Sequence, residues 1–210
     1  LDDAYEGYVY TEGLKSSIAS HCFAELPNFS LGKMDGISKV MLAYGYRIGF
    51  LNFFVNSLDG QQFDEEFLKG MRAEIGTKIG GFIRGEISQP NHHGQVLADA
   101  LLDDEAAIEQ QRGVVIGRLK ERFDALMKAL EDGYAKFGKE KLWADPCNGG
   151  FFCYLNFAMG LDAKQIVERL LTEKKVGVVP SEQGIRVAFA GVPKEKIPRM
   201  IQAIFEVVCG

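Results

Sequence analysis

The most informative stretch of the sequence is residues 34–50, which hold one lysine and one arginine in an otherwise almost uncharged neighbourhood. They read MDGISKVMLAYGYRIGF, and between positions 40 and 54 the single ionic side chain is Arg47. Lys39 lies immediately before this apolar run. Burying a charge without a compensating partner costs several kcal/mol. We therefore expect the surrounding side chains to be buried or half-buried, Arg47 to meet an anion, and Lys39 to be neutralised or chemically modified.

Two short motifs occur in a fixed order. Ser38 precedes Lys39, and Arg47 follows the lysine by eight positions within the sequence GYRIG. Near the start of the chain, Asp2 and Tyr5 lie three residues apart within DDAYEGY. This set resembles the active-site blocks of the aspartate-aminotransferase superfamily, the fold-type I enzymes that use pyridoxal 5'-phosphate. In that family the lysine bonds covalently to the cofactor aldehyde, and an arginine eight residues later binds the cofactor phosphate.

The resemblance implies a role for each of these residues. Lys39 would be the catalytic and cofactor-bonding amine, and Arg47 would bind phosphate because its planar fork matches phosphate oxygens. Asp2 would keep the pyridine nitrogen protonated, which makes the ring an electron sink. Tyr5 would lie beside the 3-oxygen of the ring. We also place Ser38 among the cofactor-binding residues.

One position departs from the family pattern. Many relatives carry a serine three residues before the lysine, where its hydroxyl contacts the phosphate, but this chain has Gly36 there. Ser38 offers a hydroxyl from a different position. The departure therefore concerns the phosphate contacts more than the covalent bond of the lysine.

A third block lies near the end of the chain. Residues 184–189 read GIRVAF, and they resemble the family segment whose arginine pairs with the α-carboxylate of the substrate. Arg186 is therefore the predicted substrate anchor, although an arginine at the surface of a strand would give the same pattern. The resemblance implies ping-pong transamination between an L-amino acid and a 2-oxo acid by a homodimer. The same site residues would also fit three alternatives: a β-lyase, a decarboxylase or an aminotransferase-like sensor domain of a transcription regulator. A cofactor-free α/β domain is a further possibility.

Composition excludes several other classes of function. The net charge of −5 is spread without a basic block, which argues against nucleic acid and against a polybasic membrane patch. The sequence has neither a long apolar run nor a signal pattern, so we expect a cytoplasmic protein. Adjacent His92 and His93 diverge and have no third ligand nearby, and we predict no metal site. Reduced thiols are expected at all four cysteines, Cys22, Cys147, Cys153 and Cys209.

The helices and strands that periodicity predicts fit the α/β fold that the resemblance implies. Helical patterns occur at residues 11–26, 64–86, 103–137, 162–174 and 194–208. Apolar runs predict strands at 28–34, 47–55, 149–157, 176–179 and 184–190, with a loop at 88–94. The resemblance implies the C-terminal half of a pyridoxal-phosphate-dependent transferase-like fold. Residues 1–103 would complete the large cofactor domain, and 104–210 would form the connecting long helix and a small α+β domain.

Overall fold

The chain divides into two compact units. A computed structural model describes residues 1–26, 30–55, 57–58 and 61–210. Unit 1 contains Leu1–Gly7 and Gly13–Arg112, and unit 2 contains Tyr8–Glu12 and Gly113–Gly210. The predicted domain assignment, 1–103 and 104–210, stays a prediction. None of the described helices combines the length and the apolar character that crossing a bilayer requires.

An antiparallel hairpin is the central element of unit 1. Strand β1 (Ser30–Gly36) pairs with β2 (Gly49–Val55), and the short helix α2 (Ile37–Val40) and a 3-10 turn (Tyr44–Tyr46) connect them. The first predicted strand is confirmed from Ser30, and its predicted start at 28–29 lies outside the described residues. The second is confirmed from Gly49, two residues later than predicted. The strands are half-buried or exposed, so the prediction of a buried strand was wrong. A two-residue ladder, β3 (Ser57–Leu58) with β4 (Gln61–Gln62), follows.

The remaining elements of unit 1 are helices with side-chain caps at their N-termini. Ser17, Asp64 and Asn91 each accept a hydrogen bond from a backbone N–H of the first turn, which satisfies a donor that the helix leaves unpaired. The helices are α1 (Ile18–Glu25), α3 (Glu65–Glu86), α4 (His92–Leu102) and the start of α5 (Glu105–Phe137).

These caps explain two departures from the sequence-based expectation. The predicted helix at 11–26 is shorter because Ser17 begins it, and its predicted end at Pro27 lies outside the described residues. The predicted loop at 88–94 was wrong from His92 onward because Asn91 caps a helix there. The predicted helix at 64–86 is confirmed.

Unit 2 is an antiparallel sheet with helices. Its strand order is β5-β6-β8-β7, and all its pairs are antiparallel. The strands are β5 (Leu142–Ala144), β6 (Cys153–Phe157), β7 (Val179–Ser181) and β8 (Gly184–Val187). The α-helices of this unit are the later part of α5, α6 (Ala163–Arg169) and α7 (Ile197–Cys209), and a π-helix, Leu170–Lys174, continues α6. The sequence did not predict β5, and β6 and β7 begin later than predicted.

The larger of the two described cores lies in unit 2. Helix α7 buries one apolar face, and Phe205 at its centre is fully buried. The Phe205 ring stacks on Phe137 with centroids 5.6 Å apart and meets Tyr134 edge-on. Gly133 completes this contact because a Cβ there would lie within 2.1 Å of the Phe205 ring. The core of unit 1 is smaller: its buried cluster is Ile37, Ile48 and Ala98.

Candidate functional site

A cavity of about 260 Å³ in unit 1 brings together residues from separate parts of the sequence. The predicted site residues Asp2, Ser38, Lys39 and Arg47 all line it. The complete lining is Asp2, Ala4, Met34, Asp35, Gly36, Ser38, Lys39, Arg47, Ile48 and Gly49. The N-terminal motif and both ends of the hairpin loop therefore meet at one place.

Pairing with β1 explains how the N-terminal motif reaches this cavity. Asp2 forms a parallel bridge with Met34, in which the Met34 N–H donates to the carbonyl of Leu1 over 2.9 Å. The Asp3 N–H donates to the Met34 carbonyl over 3.0 Å. The Asp2 carboxylate in turn accepts from the Ala4 N–H at 3.2 Å, which orients the side chain. Asp2 is thus held beside the hairpin that carries the lysine.

Lys39 lies in α2, and buried Ile37 anchors that short helix. The Ile37 N–H donates to the Ile48 carbonyl across the hairpin, and the Ile37 carbonyl accepts from the Ala43 N–H at 3.0 Å. The Lys39 amine lies 5.1 Å from the ring centroid of Tyr44 and 6.0 Å from that of Tyr5. Both separations are within the range of a cation–π contact. Tyr5 therefore lies next to the predicted catalytic amine.

Arg47 is exposed, and its guanidinium is oriented by three contacts. Its Nη1 donates to the Ser38 hydroxyl at 3.3 Å and to the Tyr44 carbonyl at 3.2 Å. The guanidinium carbon lies 4.6 Å from the centroid of the Tyr44 ring. Its backbone is left-handed, with φ of 54°, a conformation that costs a non-glycine residue about 1 kcal/mol. A guanidinium and a hydroxyl thus converge in an arrangement suited to an anion.

The apolar run around Arg47 is more exposed than its composition predicted. Tyr44, Leu51 and Phe53 are respectively 62%, 48% and 48% accessible. The prediction that these side chains are buried or half-buried was therefore wrong for these three residues. The reason lies in the hairpin itself, because successive side chains of β2 point to opposite faces of a two-stranded sheet, and both faces carry exposed residues.

Gly36 fits the close approach of the two hairpin strands. It pairs with Gly49, and a Cβ at Gly36 would lie 3.2 Å from the Ile48 carbonyl oxygen. A Cβ at Gly49 would lie equally close to the Asp35 carbonyl oxygen. Contacts this short require a neighbour to give way. The absence of a serine at position 36 thus has a local steric explanation, and Ser38 supplies the hydroxyl that contacts Arg47.

A charged cluster that sequence reasoning missed adjoins the cavity. The Lys33 amine lies 2.6 Å from Glu6, 3.0 Å from Asp35 and 3.4 Å from Asp3. Burial lowers the pKa of Lys33, but hydrogen bonds to Glu6 and Asp35 outweigh burial and raise it above its ordinary value. The Ser17 N–H also donates to Glu6 at 3.1 Å. The cluster ties the N-terminal motif to β1, and its only sequence signal was the charge of each member.

Arg186 belongs to unit 2, where the structure places it on β8. It pairs with Tyr154 of β6 and Val179 of β7. Its side chain is exposed, and the guanidinium carbon lies 4.6 Å from the centroid of the Phe152 ring. A stacked guanidinium keeps its plane fixed while its N–H groups stay available to an acceptor. The other predicted residues, Asp2, Tyr5, Ser38, Lys39 and Arg47, all belong to unit 1.

Comparison with known proteins gives one consistent family. The family model described as aminotransferase class I and II matches residues 1–204. A comparison with curated proteins gives no match. Among solved structures, an aminotransferase from Anaerococcus prevotii DSM 20548 is 24% identical with a TM-score of 0.72, covering 100% of this chain and 46% of that chain.

Two further solved structures have the same fold. The kynurenine aminotransferase of Pyrococcus horikoshii is 23% identical with a TM-score of 0.70, and the multiple substrate aminotransferase of Thermococcus profundus is 21% identical with a TM-score of 0.71. Each match covers 99% of this chain and 46% of the other. The chain thus has the α/β fold of these proteins and spans about half of their length.

Proposed function

Because the chain belongs to the class I and II aminotransferase family, we propose that the protein carrying it moves an amino group between an L-amino acid and a 2-oxo acid with pyridoxal 5'-phosphate. One observation supports this proposal above all others. Asp2 is far in sequence from Lys39 and Arg47, yet all three residues line one cavity. An acid, an amine and a guanidinium are the three groups that this cofactor requires at its ring nitrogen, its aldehyde and its phosphate.

The donor set fits the cofactor residue by residue. Lys39 would hold the aldehyde carbon covalently, while Arg47 and Ser38 would hold the phosphate. Asp2 would meet the pyridine nitrogen, and Tyr5 would lie beside the 3-oxygen. When bound, the cofactor supplies an electron sink that stabilises the negative charge left after the α-proton of the substrate is removed.

In this proposal, Lys39 is the residue that accepts the α-proton of the substrate. Its amine would hold the cofactor covalently and would be the base that accepts the α-proton of the substrate. The aromatic rings of Tyr5 and Tyr44 lie near the amine and limit where it can move. Restricting a catalytic group to a few positions lowers the entropic part of the barrier.

Arg47 provides binding and orientation rather than proton transfer. Its contacts with Ser38 and with the Tyr44 ring hold the guanidinium before any ligand arrives. A donor fork that is already oriented loses little conformational entropy when it binds an anion. The left-handed backbone of Arg47 supports this assignment because strained residues cluster at functional sites.

Arg186 is the proposed anchor for the α-carboxylate of the substrate. A bidentate pair between guanidinium and carboxylate fixes orientation as well as position. Orientation decides which bond at the α-carbon is aligned for cleavage. Phe152 supports the role because its ring holds the plane of the guanidinium.

The organisation of the whole protein completes the proposal. We assign residues 1–103 to the C-terminal part of a large cofactor domain, and 104–210 to a connecting helix and a small α+β domain. The enzyme would act as a cytoplasmic homodimer by a ping-pong mechanism, as the family resemblance and the sequence imply. We expect the isolated 210 residues to be inactive, since they span about half the length of the matched structures.

Half-reactions test the proposed activity. The protein that carries this chain, loaded with cofactor, is mixed with one amino donor at a time in the absence of an acceptor. A ping-pong enzyme releases one equivalent of 2-oxo acid and then stops until a second 2-oxo acid is added. Lys39→Ala should reduce turnover by roughly 10²–10⁴-fold, the usual contribution of a general base, or more. The matched control Lys120→Ala, at an exposed lysine of α5, should not change it.

Two results would contradict the proposal. Unchanged turnover in Lys39→Ala would show that Lys39 is not the catalytic residue. Release of ammonia or carbon dioxide in place of amino transfer would replace transamination by lyase or decarboxylase chemistry.

A further inference from the structure

Two of the cysteines form a contact pair in unit 2. Cys147 lies between β5 and β6, and Cys153 is the first residue of β6. The Cys147 Sγ lies 3.5 Å from the Gly149 carbonyl oxygen and 3.8 Å from that of Phe152. The Phe152 carbonyl belongs to the peptide bond that leads into Cys153, so the Cys147 Sγ lies against the backbone next to Cys153. The segment between them thus folds back so that its first cysteine meets its last.

The two thiols differ in accessibility and in acidity. Cys153 is 1% exposed, whereas Cys147 is half-buried and lines an open cavity of about 700 Å³ in unit 2. The neighbouring Cys153 thiol lowers the pKa of Cys147 to about 6, against the effect of burial. The Cys147 thiol, together with burial, raises the pKa of Cys153. An accessible thiolate beside a buried thiol is the arrangement found in reactive dithiols.

Backbone contacts hold the segment in this shape. The Tyr10 N–H donates to the Asn148 carbonyl at 2.8 Å, and the Gly150 N–H donates to the Tyr8 carbonyl at 2.8 Å. The Tyr10 hydroxyl donates to the Gly150 carbonyl, also at 2.8 Å. The thiols are therefore kept together by a defined turn.

We propose that Cys147 and Cys153 are a redox modification site, at which a hydroperoxide converts the two thiols into a reversible disulfide. The Cys147 thiolate attacks the peroxide, so that an S–O bond forms, the O–O bond breaks and an alcohol or water leaves. Cys153 then attacks the resulting sulfenic sulfur, and the S–S bond forms as water leaves. Two thiols lose two electrons in total, and one peroxide gains them. A dithiol reductant reverses the step by exchange.

The consequence for the substrate site rests on the proposed function. The disulfide closes a ring that contains Phe152, the residue whose ring lies against the Arg186 guanidinium. Cys153 also pairs with Val187, the neighbour of Arg186 on β8. An S–S bond is about 2.05 Å long, so the turn must tighten when it forms. We therefore expect oxidation to weaken binding of the substrate carboxylate while the chemistry at Lys39 continues.

Mass spectrometry tests the disulfide without any need for activity. The protein is treated with hydrogen peroxide, its free thiols are alkylated, and it is digested with trypsin, which leaves both cysteines in one peptide. We expect that peptide to lose about 2 Da and to take up no alkyl group, and we expect dithiothreitol to restore both alkylation sites. Cys22 and Cys209 are internal controls and should stay alkylated.

Two variants separate the roles of the thiols. Cys147→Ser should leave Cys153 reduced after peroxide. Cys153→Ala should leave a sulfenic acid at Cys147 that dimedone traps. If Cys153→Ala does not fold because position 153 is buried, Cys147→Ser gives the decisive comparison. Full alkylation of both cysteines after peroxide would overturn the proposal, as would a stable sulfenic acid without a disulfide in the wild-type protein.

Kinetics test the coupling separately. Oxidation should raise KM for the amino donor about threefold or more and change kcat less than about twofold, and Cys147→Ser should be insensitive to peroxide. A disulfide without a change in KM would overturn the coupling to Arg186. If no transamination is found at all, the disulfide result still stands, so the two proposals fail in distinguishable ways.

Discussion

Replacing Lys33 with methionine should destabilise unit 1 because it removes the cation from a cluster of carboxylates. The Lys33 amine lies within 3.4 Å of Asp3, Glu6 and Asp35, and its side chain is only 12% exposed. Methionine keeps much of the apolar length and removes the charge. Three carboxylates whose oxygens lie within 4.8 Å of one another would then remain together.

The size of the effect follows from burial. Breaking a buried ion pair by removing one partner costs about 3–5 kcal/mol, whereas exposed pairs contribute about 0–1 kcal/mol. The partner carboxylates of Lys33 are 18–31% exposed, which places the cluster between these limits. We expect Lys33→Met to lower the free energy of unfolding of unit 1 by about 2–3 kcal/mol. The control Lys128→Met removes an exposed pair with Asp132, 73% and 65% accessible, and should cause no measurable loss.

The pH dependence of this contribution can be stated with its sign. The folded-state pKa of Lys33 is raised above the ordinary value of 10.5. The stabilisation is therefore fully present below pH 10.5 and is lost only as the pH rises through the higher folded value. Between pH 6 and 9, the contribution of Lys33 to the difference in unfolding free energy between wild type and Lys33→Met should therefore be constant.

Hydrogen exchange is the suitable assay because it resolves the two units. Peptides from β1 should exchange about 30–150-fold faster in Lys33→Met at neutral pH, which is the expected free-energy loss expressed as a ratio. Trp143, the only tryptophan, lies in unit 2, and its fluorescence in urea should report an unchanged transition. Calcium should restore part of the protection in the variant, because carboxylate oxygens are its preferred ligands, and should have no effect on wild type. Equal exchange in Lys33→Met and Lys128→Met would refute the reasoning.

Three further predictions concern packing, acidity and anion binding. Gly133→Ala should destabilise unit 2 by about 1–2 kcal/mol in urea unfolding, since the new Cβ would clash with Phe205. Gly117→Ala on the same helix meets nothing within 4 Å and should stabilise unit 2 by about 0.5–1 kcal/mol. The opposite order of stability would contradict the packing. Alkylation of Cys147 should accelerate as the pH rises through about 6, and a rate that rises only near pH 9 would show an ordinary thiol. Arg47→Lys should weaken cofactor affinity about tenfold or more in a spectroscopic titration, because lysine lacks the planar fork, and an unchanged affinity would place the phosphate elsewhere.

The sequence was sufficient where local patterns and motif spacing carried the information. The apolar runs predicted the two strands β1 and β2, and the family resemblance carried by the spacing of Lys39 and Arg47 implied that these residues act together. The structure places both on one cavity with Asp2, although the distance in sequence between Asp2 and the hairpin gives no hint of their parallel pairing. Only the resemblance to a family connected them.

The sequence did not predict the features that depend on tertiary contacts. Residues 88–94 contain proline, asparagine and glycine, which are typical of a turn, yet Asn91 uses its side chain to begin a helix. The Lys33 cluster joins residues that lie 27 and 30 positions apart, and no local pattern predicts such a contact. Burial around Arg47 was overestimated because an apolar sequence does not say which side of a hairpin is covered.

The central claim is that Lys39 is the amine that bonds to the cofactor, and covalent trapping tests it most directly. The protein that carries this chain is incubated with pyridoxal 5'-phosphate, reduced with borohydride and digested for mass spectrometry. The account predicts a phosphopyridoxyl group on Lys39 at one equivalent per chain and its loss in Lys39→Arg. A modification spread over surface lysines such as Lys120 and Lys128, with Lys39 unmodified, would contradict it.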